Sequence, residues 1–254
     1  MPQDPRIRQT RTRPFSPEAL SAWGELAGFS PPGPFEPEGE WRHTYEILLA
    51  GRGRRGYLTV ARATGPGGGA RLEVEQALRQ AAGATWCTRA TLDCSADPIS
   101  SPRAWSLESV VLRADAPLDV ATVREEGAVT EGVLRVTAQG RTRERPLGNP
   151  FTSDWSLFDA VQRLPRKDTE SLSFDLLERL DLLKPDQRLG YRREEQLELD
   201  GGVLPLTGYQ QIGRGLLPVQ YWVDEHCRLL LVMTGPRAYI WAPTAREDFG
   251  EAET

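Results

Sequence analysis

The sequence predicts a mainly β protein, built as a large curved antiparallel sheet or half barrel with an inserted pair of helices. Between residues 188 and 241, short aliphatic and aromatic runs alternate with turns rich in Gly and Pro, a pattern typical of β-hairpins. The 254 residues include 24 Gly and 20 Pro, which favours many turns over long helices. Trp41, His43, Tyr45 and Ile47 alternate with other residues and therefore share one face of a predicted strand.

We divide the chain into three parts. Residues 1–40 form an N-terminal arm, a short helix with Ser16 as its N-cap, and a Pro-rich connector. Residues 41–242 form a single β domain of about ten strands, with a helical insertion at about 153–184. Residues 243–254 form an acidic tail, which we expect to be disordered.

The helical insertion is predicted from two segments in which the apolar spacing changes from strand-like to helical. The first segment contains Trp155, Phe158 and Val161 and ends at Pro165. The second ends at Pro185 and carries leucines at helical intervals, namely Leu172, Leu176, Leu177, Leu180 and Leu183. We expect the two helices to cover one face of the sheet.

Charge and hydropathy limit the partners of the chain. A formal net charge of −5 disfavours binding to nucleic acid or to an anionic membrane surface. No stretch approaches the roughly 20 apolar residues of a membrane-spanning helix. No apolar signal segment follows the basic N-terminal residues, so we expect a cytoplasmic protein; an envelope location would require a signal ahead of this sequence.

The run of elements from about residue 150 to 242 carries a resemblance to a known family. Its features are the predicted helix Leu157–Leu164 and the predicted strands Leu204–Gly208 and Tyr221–Tyr239. This arrangement resembles the DUF3108-like group of bacterial half-barrel β proteins, whose sheet is similar to that of lipoprotein carriers. The resemblance implies a curved sheet that cradles an apolar ligand, and it implies no catalytic residues. Members of that group are typically envelope proteins, and the absence of a visible signal peptide here departs from them.

The cysteines and histidines do not predict a metal site. Cys87, Cys94, His226 and Cys227 are the candidate ligands, but they lack the Cys-x2-4-Cys spacing of structural zinc sites. Three cysteines are an odd number, which indicates free thiols rather than a disulfide framework. We predict neither a metal nor an organic cofactor.

Aromatic residues on the predicted strands give the main functional hypothesis. A sheet that curves around a cavity uses such side chains as walls for an apolar or ring-shaped ligand, and a packed core is the alternative explanation. We therefore predict noncatalytic binding of a hydrophobic or aromatic small molecule in a cleft between the sheet and the helices. The candidate ligand-binding residues are Trp41, His43, Tyr45, Tyr209, Gln211, Arg214, Tyr221, Trp222 and Tyr239.

Two other functions remain open from the sequence. The first is a cofactor-independent acid/base enzyme, such as a lyase, isomerase or cyclase, with His43 as the candidate catalytic base beside a partner carboxylate. The second is an interaction subunit that pairs an exposed sheet edge with another chain. The Gly-rich stretches 51–56 and 65–69 lack the residues of a phosphate-binding loop and are predicted to be hairpin loops.

Overall fold

The structure is a computed structural model that describes residues 15–22, 24–26, 29, 33–80, 83–113, 116–117, 122–166, 170–199 and 202–251. Within these ranges the chain forms one sixteen-stranded sheet and three short α-helices. The helices are α1 (Pro17–Ala22), α2 (Ser156–Ala160), which continues into a 3₁₀ turn at Val161–Arg163, and α3 (Ala245–Glu251). The strands are β1 (Trp41–Leu49), β2 (Gly53–Thr64), β3 (Ala70–Arg79), β4 (Ala84–Cys94), β5 (Pro102–Arg113), β6 (Ala116–Pro117), β7 (Val123–Thr130), β8 (Val133–Ala138), β9 (Arg141–Pro146), β10 (Phe151–Ser153), β11 (Leu172–Glu178), β12 (Leu182–Leu199), β13 (Gly202–Gly213), β14 (Val219–Val223), β15 (Leu229–Thr234) and β16 (Arg237–Trp241).

The sheet is curved and does not close into a complete barrel. Its strand order is β10-β11-β12-β13-β14-β15-β16-β1-β2-β3-β4-β5-β7-β8-β9, and β6 pairs with β5 beside this path. All neighbours are antiparallel except β10 and β11. The pairing of β1 with β16 joins the two halves of the chain, so the C-terminal hairpins complete the sheet that begins at Trp41.

The inside of the curve is filled by side chains and by α2. In β1 the side chains of Tyr45 and Ile47 are completely buried in this inner core, as the alternation predicts. The Tyr45 hydroxyl donates to the Leu229 carbonyl at 3.1 Å, and its ring meets Phe158 of α2 edge-on at 5.3 Å between centroids. Leu157 of α2 is also fully buried. Helix α2 therefore acts as a plug inside the curve rather than as a cover over an open face.

The other two helices lie on the outside of the sheet. Leu20 of α1 packs in a second apolar cluster that includes Trp222, Leu231 and Ile240. Helix α3 belongs to a third, smaller cluster, in which its Phe249 meets the Tyr57 ring edge-on at 5.4 Å. The strands that lie beneath these two helices are thus buried on both faces, which explains why their sequences are apolar in consecutive positions.

The second predicted helix is wrong, because residues 172–178 and 182–199 form β11 and β12. The four consecutive residues 174–177 of β11 are all buried. The leucines of this segment are therefore explained by a strand that is buried on both faces. Their match to a helical spacing is a coincidence. The turn after β11 contains Arg179 and Leu180 at φ of 51° and 63°, so it reverses the chain without the glycine that normally marks such a turn.

The prediction of a disordered acidic tail is also corrected. Residues 245–251 form α3. Phe249 anchors this helix to the outer face of the sheet, and the Arg79 guanidinium lies 4.3 Å from the centroid of the Phe249 ring. Residues 252–254 and the predicted arm at residues 1–14 lie outside the described residues. The sheet has more strands than the ten expected, because short or polar strands such as β9, all of whose residues are exposed, carry no apolar alternation.

Candidate functional site

A cavity of about 430 Å³ opens at one end of the curved sheet. Strands β1, β3, β4, β5, β7 and β16 and the residues at the start of α2 contribute to it. Its volume falls within the roughly 300–1,000 Å³ of typical small-molecule sites. The apolar part of its wall consists of Leu49, Leu78, Trp86, Leu107, Val123, Trp155 and Tyr239.

Trp86 is the most exposed aromatic wall of this cavity, with 41% of its surface accessible. Its indole N–H donates to the Ser109 hydroxyl on the neighbouring strand. Ser109 is also 2.9 Å from the Thr88 hydroxyl, its partner in the register of β4 and β5. The Arg179 guanidinium lies 5.9 Å from the Trp86 ring centroid. The indole is thus held in one orientation while its face stays available to a ligand.

Glu125 brings a buried carboxyl group to the same cavity. The next inward position on β7 is Gly127, where a Cβ would come within 2.0 Å of the Trp105 ring. Because the glycine leaves room for that ring, the Trp105 indole reaches Glu125 and donates to its Oε1 at 3.4 Å. Burial raises the pKa of Glu125 to about 7, and the Trp105 hydrogen bond opposes part of this rise.

Asp154 is the second carboxyl group of the cavity wall, and it precedes α2. Its Oδ1 accepts hydrogen bonds from the backbone N–H groups of Trp155 at 3.2 Å and Arg179 at 3.1 Å. Burial raises its pKa to about 6. Two carboxyls that bind protons close to neutral pH can donate as well as accept hydrogen bonds to a bound molecule.

Arginines surround the apolar wall. Arg52, Arg79, Arg179 and Arg237 all line the cavity. Arg79 donates to the Phe249 carbonyl at 2.8 Å, and Arg237 donates to the Tyr239 hydroxyl at 3.1 Å. The site therefore combines flat apolar walls, two protonatable carboxyls and a cationic mouth.

Of the residues predicted from sequence, Tyr239 lines this cavity, whereas His43 lies in the core. His43 is 5% exposed and stacks on Trp41 at 4.7 Å, with Phe35 at 5.0 Å. Burial, assisted by Arg228, lowers its pKa to about 4, and its Nε2 makes no hydrogen bond within normal geometry. A neutral imidazole enclosed in this way and away from the cavity does not have the position of a catalytic base.

Tyr209, Gln211 and Tyr221 support the core through hydrogen bonds. The Tyr221 hydroxyl donates to Gln211 Oε1 at 2.9 Å, and the Gln211 amide donates to Gln187 at 3.4 Å. The Tyr209 hydroxyl donates to the Pro165 carbonyl at 2.9 Å, just beyond the 3₁₀ turn. The first two hydrogen bonds link strands β12, β13 and β14, the third connects the sheet to the segment after the plug, and none of the three residues lines the cavity.

The remaining predicted residues lie apart from the cavity. Tyr45 is enclosed in the inner core, and Trp222 faces the opposite side of the sheet, beneath α1 and 5.4 Å from the Arg193 guanidinium. Adjacent Tyr221 and Trp222 point to opposite faces because side chains alternate along a strand. Arg214 is exposed in the turn between β13 and β14. The structure thus separates the predicted set between two faces and a turn.

The thiols and His226 are not assembled into one site. Cys94 is buried with its Sγ 3.7 Å from the Ser156 hydroxyl, while Cys227 lies in a turn where Arg166 donates to its Sγ at 3.5 Å. Cys87 is adjacent to the outer cluster under α3. Within the ranges that the structure describes, no three His, Cys, Asp or Glu side chains are grouped as metal ligands. No helix in those ranges is long and apolar enough to cross a bilayer.

Sequence reasoning missed Glu125, Asp154 and Ser109 as cavity residues. A usable signal exists for Glu125, since it follows Val123 by two residues and so places a carboxyl on the inward face of β7. Trp86 has the same phase as Thr88 and the buried residues of β4. No sequence signal places Asp154 beside them, because that proximity depends on where α2 enters the curve.

Comparisons with known proteins support the fold. No protein-family profile matches the chain, and no curated protein is similar to it in sequence. A solved structure described as a beta-barrel-like protein of domain of unknown function DUF1849 from Brucella abortus is similar to it, with a TM-score of 0.54 and 8% sequence identity. The match covers 80% of this chain and 96% of that chain. At this identity the likeness shows a β-barrel-like fold, in agreement with the half barrel predicted from sequence.

Proposed function

We propose that this protein binds a hydrophobic or aromatic small molecule, without catalysis, in the cavity at the open end of the sheet. The observation that carries the proposal is the 430 Å³ cavity with Trp86, Trp155 and Tyr239 in its wall. Among the residues predicted from sequence, Tyr239 belongs to this site. The predicted cytoplasmic location and the kinship with the DUF3108-like group stay predictions.

The state of Trp86 supports this proposal. An indole with 41% of its surface exposed leaves apolar area in contact with water, and covering that area is favourable by about 25 cal/mol per Å². Its hydrogen bond to Ser109 fixes the ring beforehand, so a ligand does not have to order it. Polar side chains beside the apolar wall, among them Thr88 and Glu125, are available to orient a ligand.

The proposal is tested with N-phenyl-1-naphthylamine, an uncharged aromatic probe whose fluorescence increases in apolar surroundings. Leu107→Trp places a larger side chain in the cavity wall, whereas Ser106→Trp adds the same residue to the exposed, opposite face of β5. We expect the native chain and Ser106→Trp to bind the probe equally. Leu107→Trp should bind it at least about tenfold more weakly, since the probe loses its apolar contacts.

Circular dichroism and urea unfolding of both variants serve as controls for folding. Equal binding by Leu107→Trp and the native chain would contradict the proposal, and so would the absence of any binding to the native chain.

A further inference from the structure

We infer that the ligand is an amphipathic anion, whose apolar body enters the cavity and whose single anionic group lies between Arg52, Arg179 and Arg237 at the mouth. This inference rests on the proposed function, because it specifies the chemical class bound at the same site. The anionic group is a carboxylate, sulfonate or phosphate, which share the oxygen acceptors that guanidinium groups recognise.

Three guanidinium groups that form no ion pairs in the described part of the chain converge on this one cavity. Among the described residues, no carboxylate pairs with Arg52, Arg179 or Arg237. Elsewhere on the sheet, some exposed arginines have acidic partners, such as Arg124 with Glu108 at 2.8 Å, while others, such as Arg89 and Arg188, have none among the described residues. What distinguishes Arg52, Arg179 and Arg237 is therefore their convergence on one apolar cavity, in a chain whose net charge is −5.

The acidic groups of the wall already have hydrogen-bond or ion-pair partners. Asp154 accepts two backbone N–H groups, and Glu125 accepts the Trp105 indole N–H. Asp181, which also lines the cavity, pairs with Arg143 of β9. The raised pKa values of Glu125 and Asp154 reduce their negative charge near neutral pH. The lining carries four arginines against three carboxyls, and Glu125 is only partly ionised near neutral pH, so the cavity has an excess of positive charge that attracts an anion.

Two of the guanidinium groups are held in place beside the aromatic walls. Arg179 has a φ of 51°, its backbone N–H is bound by Asp154, and its guanidinium is 5.9 Å from the Trp86 ring. Arg237 is held by its hydrogen bond to the Tyr239 hydroxyl. A ring that stacks on Trp86 would carry its anionic substituent to these guanidiniums. The apolar wall is thus positioned for the apolar body of a ligand, and the guanidinium groups are positioned for its anionic end.

The experiment compares two probes that differ in one group. 8-Anilinonaphthalene-1-sulfonate has the same aromatic body as N-phenyl-1-naphthylamine and adds a sulfonate. Arg179→Gln and Arg237→Gln each remove one cation from the mouth. Arg188→Gln removes one from the exposed face of β12, where the buried neighbours Gln187 and Leu189 point the other way. All three variants change the net charge equally.

We expect the sulfonate probe to bind the native chain more tightly than the uncharged probe. Arg179→Gln and Arg237→Gln should each weaken sulfonate binding about three- to tenfold, as charge-assisted hydrogen bonds at a partly exposed site do. Any loss for the uncharged probe should be smaller than the loss for the sulfonate, because that probe has no anionic group for a guanidinium to bind, and Arg188→Gln should alter neither probe. Added NaCl should weaken the sulfonate alone, because salt screens the arginines.

The outcomes separate this inference from the proposed function. One outcome is that Leu107→Trp abolishes binding of both probes while the arginine variants leave sulfonate binding unchanged. In that case the inference of an amphipathic anion is wrong, and the proposed apolar binding site is retained. An equal loss with Arg188→Gln would also overturn the inference, since it would show only a general effect of charge. If neither probe binds at the cavity, both the inference and the proposed function fail.

Discussion

Glu125 shows how one residue links the cavity to the stability of the fold. Burial raises its pKa from 4.5 to about 7, so the folded state binds the proton more tightly than the unfolded state does. The free energy of unfolding that depends on Glu125 is therefore highest below about pH 4.5 and decreases until about pH 7. The loss of stability at higher pH comes from burying the ionised Glu125 carboxylate in an apolar wall. A ligand that donates a hydrogen bond to this carboxylate would reduce that loss.

We predict that Glu125→Gln is more resistant to urea than the native chain at pH 8, by about 1–2 kcal/mol, and that the difference shrinks at pH 5. Glutamine keeps the size of the side chain and removes its titration. The lowered pKa of His43 makes the fold less stable in acid, but it acts equally in both proteins and cancels from the comparison. Glu126→Gln, on the exposed face of the same strand, is the control. Parallel stability curves for Glu125→Gln and the native chain between pH 5 and pH 8 would contradict the prediction.

At the scale of elements, the plug formed by α2 is held to the sheet by Asp159. This carboxylate is fully buried, and its Oδ1 is 2.9 Å from Arg62 Nε of β2. Its Oδ2 is 3.1 Å from an Arg163 nitrogen and accepts the Ser100 hydroxyl at 2.6 Å. Because both arginines are mostly buried, the three charged groups depend on one another for compensation. The cluster fixes α2, and α2 directly follows Trp155, which lines the cavity.

We predict that Asp159→Asn lowers the free energy of unfolding by about 3 kcal/mol, since it leaves two buried cations without their carboxylate. Glu108→Gln removes the partner of Arg124 in an exposed ion pair and should cost less than about 1 kcal/mol. Urea unfolding followed by circular dichroism measures both values, with the slopes against urea compared to exclude a change in the folded state. Equal losses in the two variants would show that the buried cluster does not anchor the plug.

The elements also show what the sequence can and cannot predict. Strand β1 is visible in advance because Tyr45 and Ile47 alternate with the polar residues Thr44 and Glu46, although Thr44 and Leu48 on the other face are also buried. Strand β11 is not, because both of its faces are buried and its leucines then match a helical repeat. The same limit applies to the site: alternation gives the inward phase of Trp86 and Glu125, but six separate strands must pair in register before these side chains share a cavity. Register is a tertiary property that a single sequence does not display.

At the scale of the whole molecule, the unclosed sheet leaves a seam between its two ends. A groove of about 460 Å³ runs along it, with Leu134 and Val136 of β8 on one side and Leu182 and Leu183 of β12 on the other. The Arg143–Asp181 ion pair bridges the seam. All six residues of the edge strand β9 are exposed, and three of them are arginines, a composition that opposes pairing with another chain. This makes the interaction-subunit alternative unfavourable at β9.

We predict that the seam is the least protected part of the described sheet in hydrogen–deuterium exchange. Strand β9 pairs with β8 on one side only, so its amides on the other edge face water, whereas β15 and β16 are paired on both sides and buried in the sheet. Peptides that cover residues 133–146 should exchange at least about tenfold faster than those that cover residues 229–241, because local opening at an edge disrupts few apolar contacts. The β15–β16 hairpin is a suitable reference, since it has the same antiparallel geometry and similar strand lengths. Equal protection of the two regions would mean that the ends of the sheet pair with each other in solution and that the barrel is closed.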